Sequence, residues 1–97
     1  MSERQPAEWM CNLDERIMEL LKREGWATAR HIERTMRMNA SEGRSYERLR
    51  MLTYAGLVAP IFEDSTMYEL TSEGQMYLAG DLDAQNQPRP NPHVVCK

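Results

Sequence analysis

Arginine is concentrated in the middle of the chain, where it could bind phosphate or the edges of bases. Residues 30–50 carry six basic and three acidic side chains, whereas residues 51–88 carry six acidic side chains and no basic one. Ten of the twelve basic residues in the sequence are Arg. The planar guanidinium fork matches the oxygens of a phosphate and the O6 and N7 atoms of guanine. Segment 30–50 is therefore the first candidate for a nucleic-acid surface.

Helix signals place these arginines on two helices that are joined by a short turn. Thr28 is a good N-cap for a short helix that ends near Met38, and Ser41 begins a longer helix over about 42–55 that stops at Gly56. A helical wheel gives the longer helix one apolar side and an outer side whose charge is mostly positive. The pattern predicts a helix-turn-helix unit with the arginines at its surface.

The flanking sequence supplies the rest of a small domain. NLDERIMELLKREG has the capping residues and apolar spacing of an amphipathic first helix, and LVAPIF and MYEL, separated by EDST, predict a β-hairpin. Thr71 then caps a fourth helix over about 72–82. The order α-α-α-β-β-α is that of a winged helix-turn-helix domain, an α+β fold that is mainly helical with a small hairpin.

Length and composition bound the organisation of the chain. With 97 residues, of which 41% are hydrophobic and 28% charged, one small globular domain is expected. We expect a flexible arm at 1–8, the winged helix domain at 9–82 and a proline-rich, disordered tail at 83–97. The sequence contains no long apolar run and no disulfide framework, which favours a cytoplasmic protein without membrane contact.

Several segments resemble a known group of proteins. They are similar to small archaeal winged helix proteins related to the haloarchaeal phage phi-H repressor. The similar segments are EWM followed by LDERIMELL, Gly25 and Thr28 after the first helix, AGLV before the hairpin and YELTSEGQMYLAGDLDA after it. The resemblance covers about residues 8–84. It implies a DNA-binding transcriptional regulator, a repressor, that acts as a dimer. One departure is the expected wing tip, where Glu63 and Asp64 replace the positive charge that usually lies near phosphate.

The predicted helices assign different DNA contacts to different side chains. The first turns of the third helix should contact base edges in the major groove, and the second helix and its surroundings should contact phosphates. The predicted base contacts are Arg44, Glu47 and Arg48. The predicted phosphate contacts are Arg30, Arg34, Arg37, Ser41, Ser45 and Arg50. The alternative is that these arginines only solvate exposed helix faces and pair with Glu33, Glu42 and Glu47 at helical spacing.

A homodimer is expected because a domain of this size gains stability by burying an exposed apolar patch. The predicted interface consists of Trp9 and Met10 together with Met76 and Tyr77 of the fourth helix. The alternative is that Trp9 folds back onto the first helix of its own chain.

Enzyme and metal sites lack support in the sequence. There is no catalytic or nucleotide-binding motif, and His93 with Cys96 supplies only two of the four ligands of a tetrahedral zinc site. We therefore expect no catalysis, cofactor or small-molecule substrate. Two functions remain open. The first is a sequence-specific regulator of double-stranded DNA. The second, favoured by the acidic wing and the net charge of −3, is a winged helix protein-interaction module without DNA binding.

Overall fold

Four helices and a two-stranded antiparallel hairpin follow one another in the order that the sequence predicts. The computed structural model describes residues 3–36 and 40–90. The elements are α1 (Asn12–Glu24), α2 (Ala29–Thr35), α3 (Glu42–Tyr54), β1 (Val58–Pro60), β2 (Tyr68–Leu70), α4 (Ser72–Ala79) and a 3-10 turn, Ala84–Asn86. The predicted α+β winged helix arrangement is confirmed. Both α2 and α4 are about three residues shorter than predicted, and Gly80, with φ of +85°, ends α4.

The core forms where the apolar sides of α1, α3 and the hairpin meet. In α1, Ile17, Leu20 and Leu21 recur at helical spacing and are almost completely buried. Leu49 and Leu52 of α3 are fully buried against them in the same cluster. This packing leaves the opposite side of α3 in contact with solvent.

Ala27, in the loop before α2, pairs with the hairpin through an isolated antiparallel bridge to Tyr68. β1 and β2 pair in the register Val58↔Leu70 and Pro60↔Tyr68. On the other edge of β2, Ala27 N–H donates to the Tyr68 carbonyl at 3.0 Å and Tyr68 N–H donates to the Ala27 carbonyl at 2.9 Å. These two bonds hold the wing beside the beginning of α2.

Helix α4 approaches the hairpin closely at Gly74. A Cβ atom at this position would lie 2.2 Å from the Leu57 carbonyl oxygen and 2.6 Å from Leu70 Cδ1. Only glycine allows the backbones of α4 and the hairpin to pack at this distance.

The two ends of the described chain pack on the domain. Arg4 Nε donates to the Leu78 carbonyl at 3.0 Å, Gln5 forms a parallel bridge with Asp83, and Ala84 is buried. The predicted flexible arm at 1–8 is therefore wrong for residues 3–8, and the predicted disordered tail at 83–97 is wrong for residues 83–90. Backbone pairing between distant segments, which sequence periodicity does not report, orders both. Residues 91–97, including His93 and Cys96, lie outside the described residues.

Candidate nucleic-acid interface

The solvent-exposed side of α3 carries a stripe of polar and aromatic side chains at positions 46, 47, 50 and 54. At 100° per residue these four positions fall within about 100° of the helix circumference and define one face. Arg50 is exposed and lies near the centre of this face, and Tyr46 and Tyr54 are 45% and 46% exposed. Such large, accessible aromatic rings are available to a partner.

Arg50 and Tyr46 contact each other across one helical turn. Arg50 Nη1 donates to Tyr46 Oη at 3.3 Å, and the guanidinium carbon of Arg50 lies 5.7 Å from the centre of the Tyr46 ring. This is cation–π distance. The pair therefore holds a guanidinium group over an aromatic ring at the surface of α3.

An open groove runs between this face of α3, the beginning of α2 and the wing. Tyr46 and Arg50 line it on α3, Arg30 lines it on α2, and Thr66 and Tyr68 line it on the hairpin. The groove also has two acidic members, Glu42 and Asp64. It therefore combines exposed aromatic surface with two cations and two carboxylates.

The residues predicted to contact base edges have different environments. Arg44 is exposed near the N-terminal end of α3, where its Nη2 lies 4.0 Å from Cys11 Sγ, and Glu47 is half-buried on the outer face. Both can reach a partner of α3. Arg48, in contrast, points towards α1.

Arg48 is the positive half of a buried ion pair. Its Nε donates to Asp14 Oδ1 at 2.7 Å, and its Nη2 donates to Asp14 Oδ2 and to the Trp9 carbonyl at 3.2 Å. Burial opposes the charge, but the hydrogen bonds and negative charge of Asp14 outweigh burial and raise the pKa of Arg48. The prediction that Arg48 contacts a base is wrong because the guanidinium is buried and bound within the domain.

The predicted phosphate contacts also separate into two groups. Arg30 and Arg34 are exposed on α2, and Ser41 is exposed at the N-cap of α3, where its Oγ accepts from Arg44 N–H at 3.2 Å. Ser45 is fully buried and its Oγ donates to the Ala40 carbonyl, so its predicted phosphate contact is wrong. Arg37 lies outside the described residues.

The exposed arginines of this region do not pair with nearby carboxylates. Among residues 3–36 and 40–90, the salt bridges involve other cations, namely Arg4, Arg23, His31, Arg48 and Arg89. The described residues do not show the alternative, in which these arginines pair with Glu33, Glu42 and Glu47. An anion or a base can therefore bind the exposed arginines of this region without first displacing a described carboxylate. These arginines are Arg30, Arg34, Arg44 and Arg50.

The predicted dimer residues are mostly engaged within their own chain. Trp9 and Met10 are half-buried against the core, and the Trp9 ring lies 6.0 Å from the guanidinium carbon of Arg48. Trp9 thus packs on its own domain, and its contact is with Arg48 of α3 instead of the first helix that the alternative named. Tyr77 is fully buried and its Oη donates to Glu15 Oε2 at 2.6 Å, so its predicted place in an interface is wrong. Met76 is 45% exposed.

The wing tip has the acidic character that the sequence indicates. Glu63 and Asp64 are exposed, and Asp64 adopts a φ of +66°, which Asp tolerates better than most residues. The preceding Ile61 and Phe62 are 38% and 60% exposed. The wing therefore presents apolar and acidic surface together.

Sequence reasoning missed Tyr46 as a candidate site residue. A helical wheel of residues 42–55 places Tyr46 at the margin of the apolar side, a position that indicates neither the core nor the exposed site. A usable signal was the spacing of four between Tyr46 and Arg50 and between Arg50 and Tyr54.

Two negative findings apply to the described part of the chain. Within residues 3–36 and 40–90, no helix has the length and apolar content to cross a membrane. Over the same ranges, no three His, Cys, Asp or Glu side chains come together as possible metal ligands.

A comparison with solved structures finds a protein that shares this fold over most of both chains. The crystal structure of the PhiH1 repressor-like protein from Haloarcula marismortui matches with a TM-score of 0.83 and 29% sequence identity, covering 92% of this chain and 99% of that chain. The two chains share one fold. The resemblance to proteins related to the phi-H repressor is confirmed. No family model and no curated protein matches the chain.

Proposed function

We propose that this chain is a sequence-specific regulator of transcription, a repressor, that binds double-stranded DNA with α3 in the major groove. The observation that carries the proposal is the likeness over 92% of the chain to a repressor-like protein. An α-helix with its side chains is about 10–12 Å across, which fits a major groove about 12 Å wide. The exposed side of α3, which carries Tyr46, Arg50 and Tyr54, is available for this contact.

The charges around α3 support different roles for different residues. Arg44 donates to guanine O6 and N7, and Glu47 accepts from the cytosine amino group. Arg30 and Arg34 on α2 neutralise phosphates, and the Ser41 hydroxyl donates to a phosphate oxygen. Phosphate contacts position the domain, and base contacts select the sequence.

A homodimer would place two copies of α3 on half-sites about 34–36 Å apart, one helical turn of DNA. Met76, exposed on α4, is the predicted interface residue that remains accessible. Met76→Glu should shift the chain from dimer to monomer in sedimentation equilibrium. Gln75→Glu, an exposed change at the neighbouring position of α4, is the control and should leave the mass unchanged.

The proposed DNA binding is tested by fluorescence anisotropy on labelled duplexes from the region upstream of the chain's own gene, at two salt concentrations. We expect saturable binding to one fragment that weakens as salt rises. Arg44→Ala should flatten the preference among fragments. Arg89→Ala is the matched control, because Arg89 is an exposed arginine beside Glu8 at the chain ends and should leave binding unchanged.

A second function is favoured by the wing. Phe62 is 60% exposed beside Glu63 and Asp64, a surface suited to a protein partner with apolar and basic side chains. If no duplex binds at low salt, the interaction module is the better assignment. Phe62→Ser should then abolish partner binding, and Arg44→Ala should leave it intact.

A further inference from the structure

We infer that Arg50 and Tyr46 together contact one guanine, and that this contact sets part of the sequence preference of the chain. The inference rests on the proposed function and deepens it. It moves Arg50 from the predicted phosphate contacts to the base contacts, and it gives Tyr46 a role that the sequence did not suggest.

The first argument is position on α3. The helix has three arginines, all within the described residues, and they point in different directions. Arg48 is bound to Asp14 in the interior, and Arg44 lies to one side, near Cys11. Arg50 lies near the centre of the exposed face. It is therefore the arginine that faces the floor of the DNA major groove when α3 enters that groove.

The second argument is the fixed orientation of the guanidinium group. Arg side chains are flexible, and the cation–π contact and hydrogen bond with Tyr46 restrict Arg50 to few rotamers before DNA arrives. Tyr46 Oη uses one of the five N–H donors of the guanidinium. The donors that remain can form the bidentate contact with O6 and N7 of guanine.

The third argument is the charge of the surroundings. Glu42 and Asp64 line the same groove as Arg50. Arg30 also lines it, so the two cations and two carboxylates of the groove sum to zero, and a phosphate entering it gains no net Coulomb attraction. A guanine edge carries no net charge and offers two acceptors. The groove around Arg50 therefore favours a base over a phosphate.

The test uses the full chain and its preferred duplex, in which each guanine is replaced in turn by 7-deazaguanine. This analogue has a C–H group in place of the N7 acceptor and leaves base pairing intact. We expect one guanine at which replacement weakens binding by the wild-type chain by about tenfold, because it removes one of the two hydrogen bonds of the bidentate contact. Arg50→Ala should bind the two duplexes equally, because the protein donor is already absent.

Conservative variants separate this contact from charge alone. Arg50→Lys keeps the charge and loses the planar fork, so we expect retained binding at low salt with reduced sensitivity to 7-deazaguanine, because an ammonium group can still donate to N7. Tyr46→Leu removes the ring under Arg50 and should reduce the sensitivity. Tyr54→Leu removes an equally exposed ring of the same helix face and should leave it unchanged. Circular dichroism checks that these surface variants are folded.

The outcomes distinguish the inference from the function on which it rests. Loss of 7-deazaguanine sensitivity in Arg50→Ala, with reduced sensitivity in Arg50→Lys, supports the contact. Equal sensitivity in the wild-type chain and Arg50→Ala overturns it and leaves DNA binding intact. If the wild-type chain binds no duplex, both the proposed function and this inference fail.

Discussion

Arg48 and Arg50 stand two residues apart on α3 and have opposite environments. A step of two residues turns an α-helix by about 200°, so their side chains leave the helix on opposite sides. Arg48 is buried in an ion pair with Asp14, and Arg50 is exposed beside Tyr46. The difference shows that residue type alone does not assign a DNA contact. The direction of the side chain and the charge it meets decide whether a guanidinium is available.

The buried arginine has a structural role that follows from its surroundings. Asp14 is fully buried, so moving Arg48 to DNA would leave its carboxylate in the interior without a positive charge beside it. Asp14 also accepts from Cys11 N–H at 2.9 Å, at the beginning of α1. The ion pair thus links α3 to the first turn of α1 and fixes the angle at which α3 is presented.

Removing one member of the buried pair should produce the largest effect. Arg48→Ala or Asp14→Ala is expected to lower the free energy of unfolding by about 3–5 kcal/mol, because each leaves the other charge buried and uncompensated. Asp14→Ala also removes the acceptor of the Cys11 N–H at the beginning of α1. Urea denaturation followed by circular dichroism measures this loss. Arg50→Ala, two residues away, should change the free energy by less than about 0.5 kcal/mol.

The double variant Asp14→Leu with Arg48→Met sharpens the comparison. Replacing both charges with apolar side chains leaves no unpaired charge, so part of the stability should return. The return is incomplete because the Cys11 N–H and the Trp9 carbonyl lose their side-chain partners. If each single variant costs as little as Arg50→Ala, then the contrast between the two arginines is wrong.

A second contrast concerns two tyrosines and is smaller. Tyr77 is buried and donates to Glu15, whereas Tyr46 is exposed. Tyr77→Phe should lower the free energy of unfolding by about 1.5–3 kcal/mol, the range for a hydrogen bond to a charged group. Tyr46→Phe should change it by less than about 0.5 kcal/mol. Equal effects in urea denaturation would contradict the different burial of the two hydroxyls.

The same contrast has a pH dependence. Burial and then the hydrogen bond to Glu15 raise the pKa of Tyr77 well above its ordinary value near 10.0. The unfolded chain loses this proton at a lower pH than the folded chain. The stabilisation is therefore complete below about pH 10 and declines as pH rises further. The wild-type chain and Tyr77→Phe should thus converge in stability above pH 10.

The exposed arginines of α2 should affect DNA affinity without affecting sequence preference. Arg34→Ala is expected to weaken binding to all duplexes alike and to reduce the slope of log K against log salt by about 1. Anisotropy titrations at several salt concentrations give this slope. A change in which fragment is preferred would show that Arg34 contacts bases, and an unchanged slope would remove it from the interface.

The sequence predicts the order of the elements and only part of the site. The caps at Thr28, Ser41 and Thr71 are local signals, and α2, α3 and α4 begin directly after them. For α1 the sequence favours Asn12 as the N-cap, whereas the structure has Cys11 there and Asn12 as the first residue of the helix.

The role of Arg48 depends on what lies across the core, whereas Ser45 lies on the buried side of α3 and bonds locally to the Ala40 carbonyl. Asp14 is 34 residues from Arg48 in the sequence, and helical spacing carries no information about that contact.

The chain ends show the same limit. Polar and proline-rich composition predicts disorder for both ends. The Gln5↔Asp83 bridge orders them because two segments that look unstructured separately can satisfy each other's backbone groups.

The smallest effect should come from the wing. Glu63→Lys changes the charge at the exposed wing tip, and if the wing lies near phosphates the salt slope should increase by up to about 1. Glu73→Lys makes the same change at an exposed position of α4 and serves as the control. Equal behaviour of the two variants in anisotropy titrations would place the wing away from DNA, as its acidic and apolar surface favours.

The bridge between residues 5 and 83 makes the backbone of this domain nearly a closed ring. Glu8 and Arg89 also meet across it at 3.3 Å, and the partners of both end segments lie on α1, α4 and the C-terminal end of α3. A short peptide linker could therefore join the two ends, and the ring could be reopened at the exposed wing tip, between Glu63 and Asp64. Such a circular permutant would keep α2 and α3 continuous and carry its new termini beside the groove.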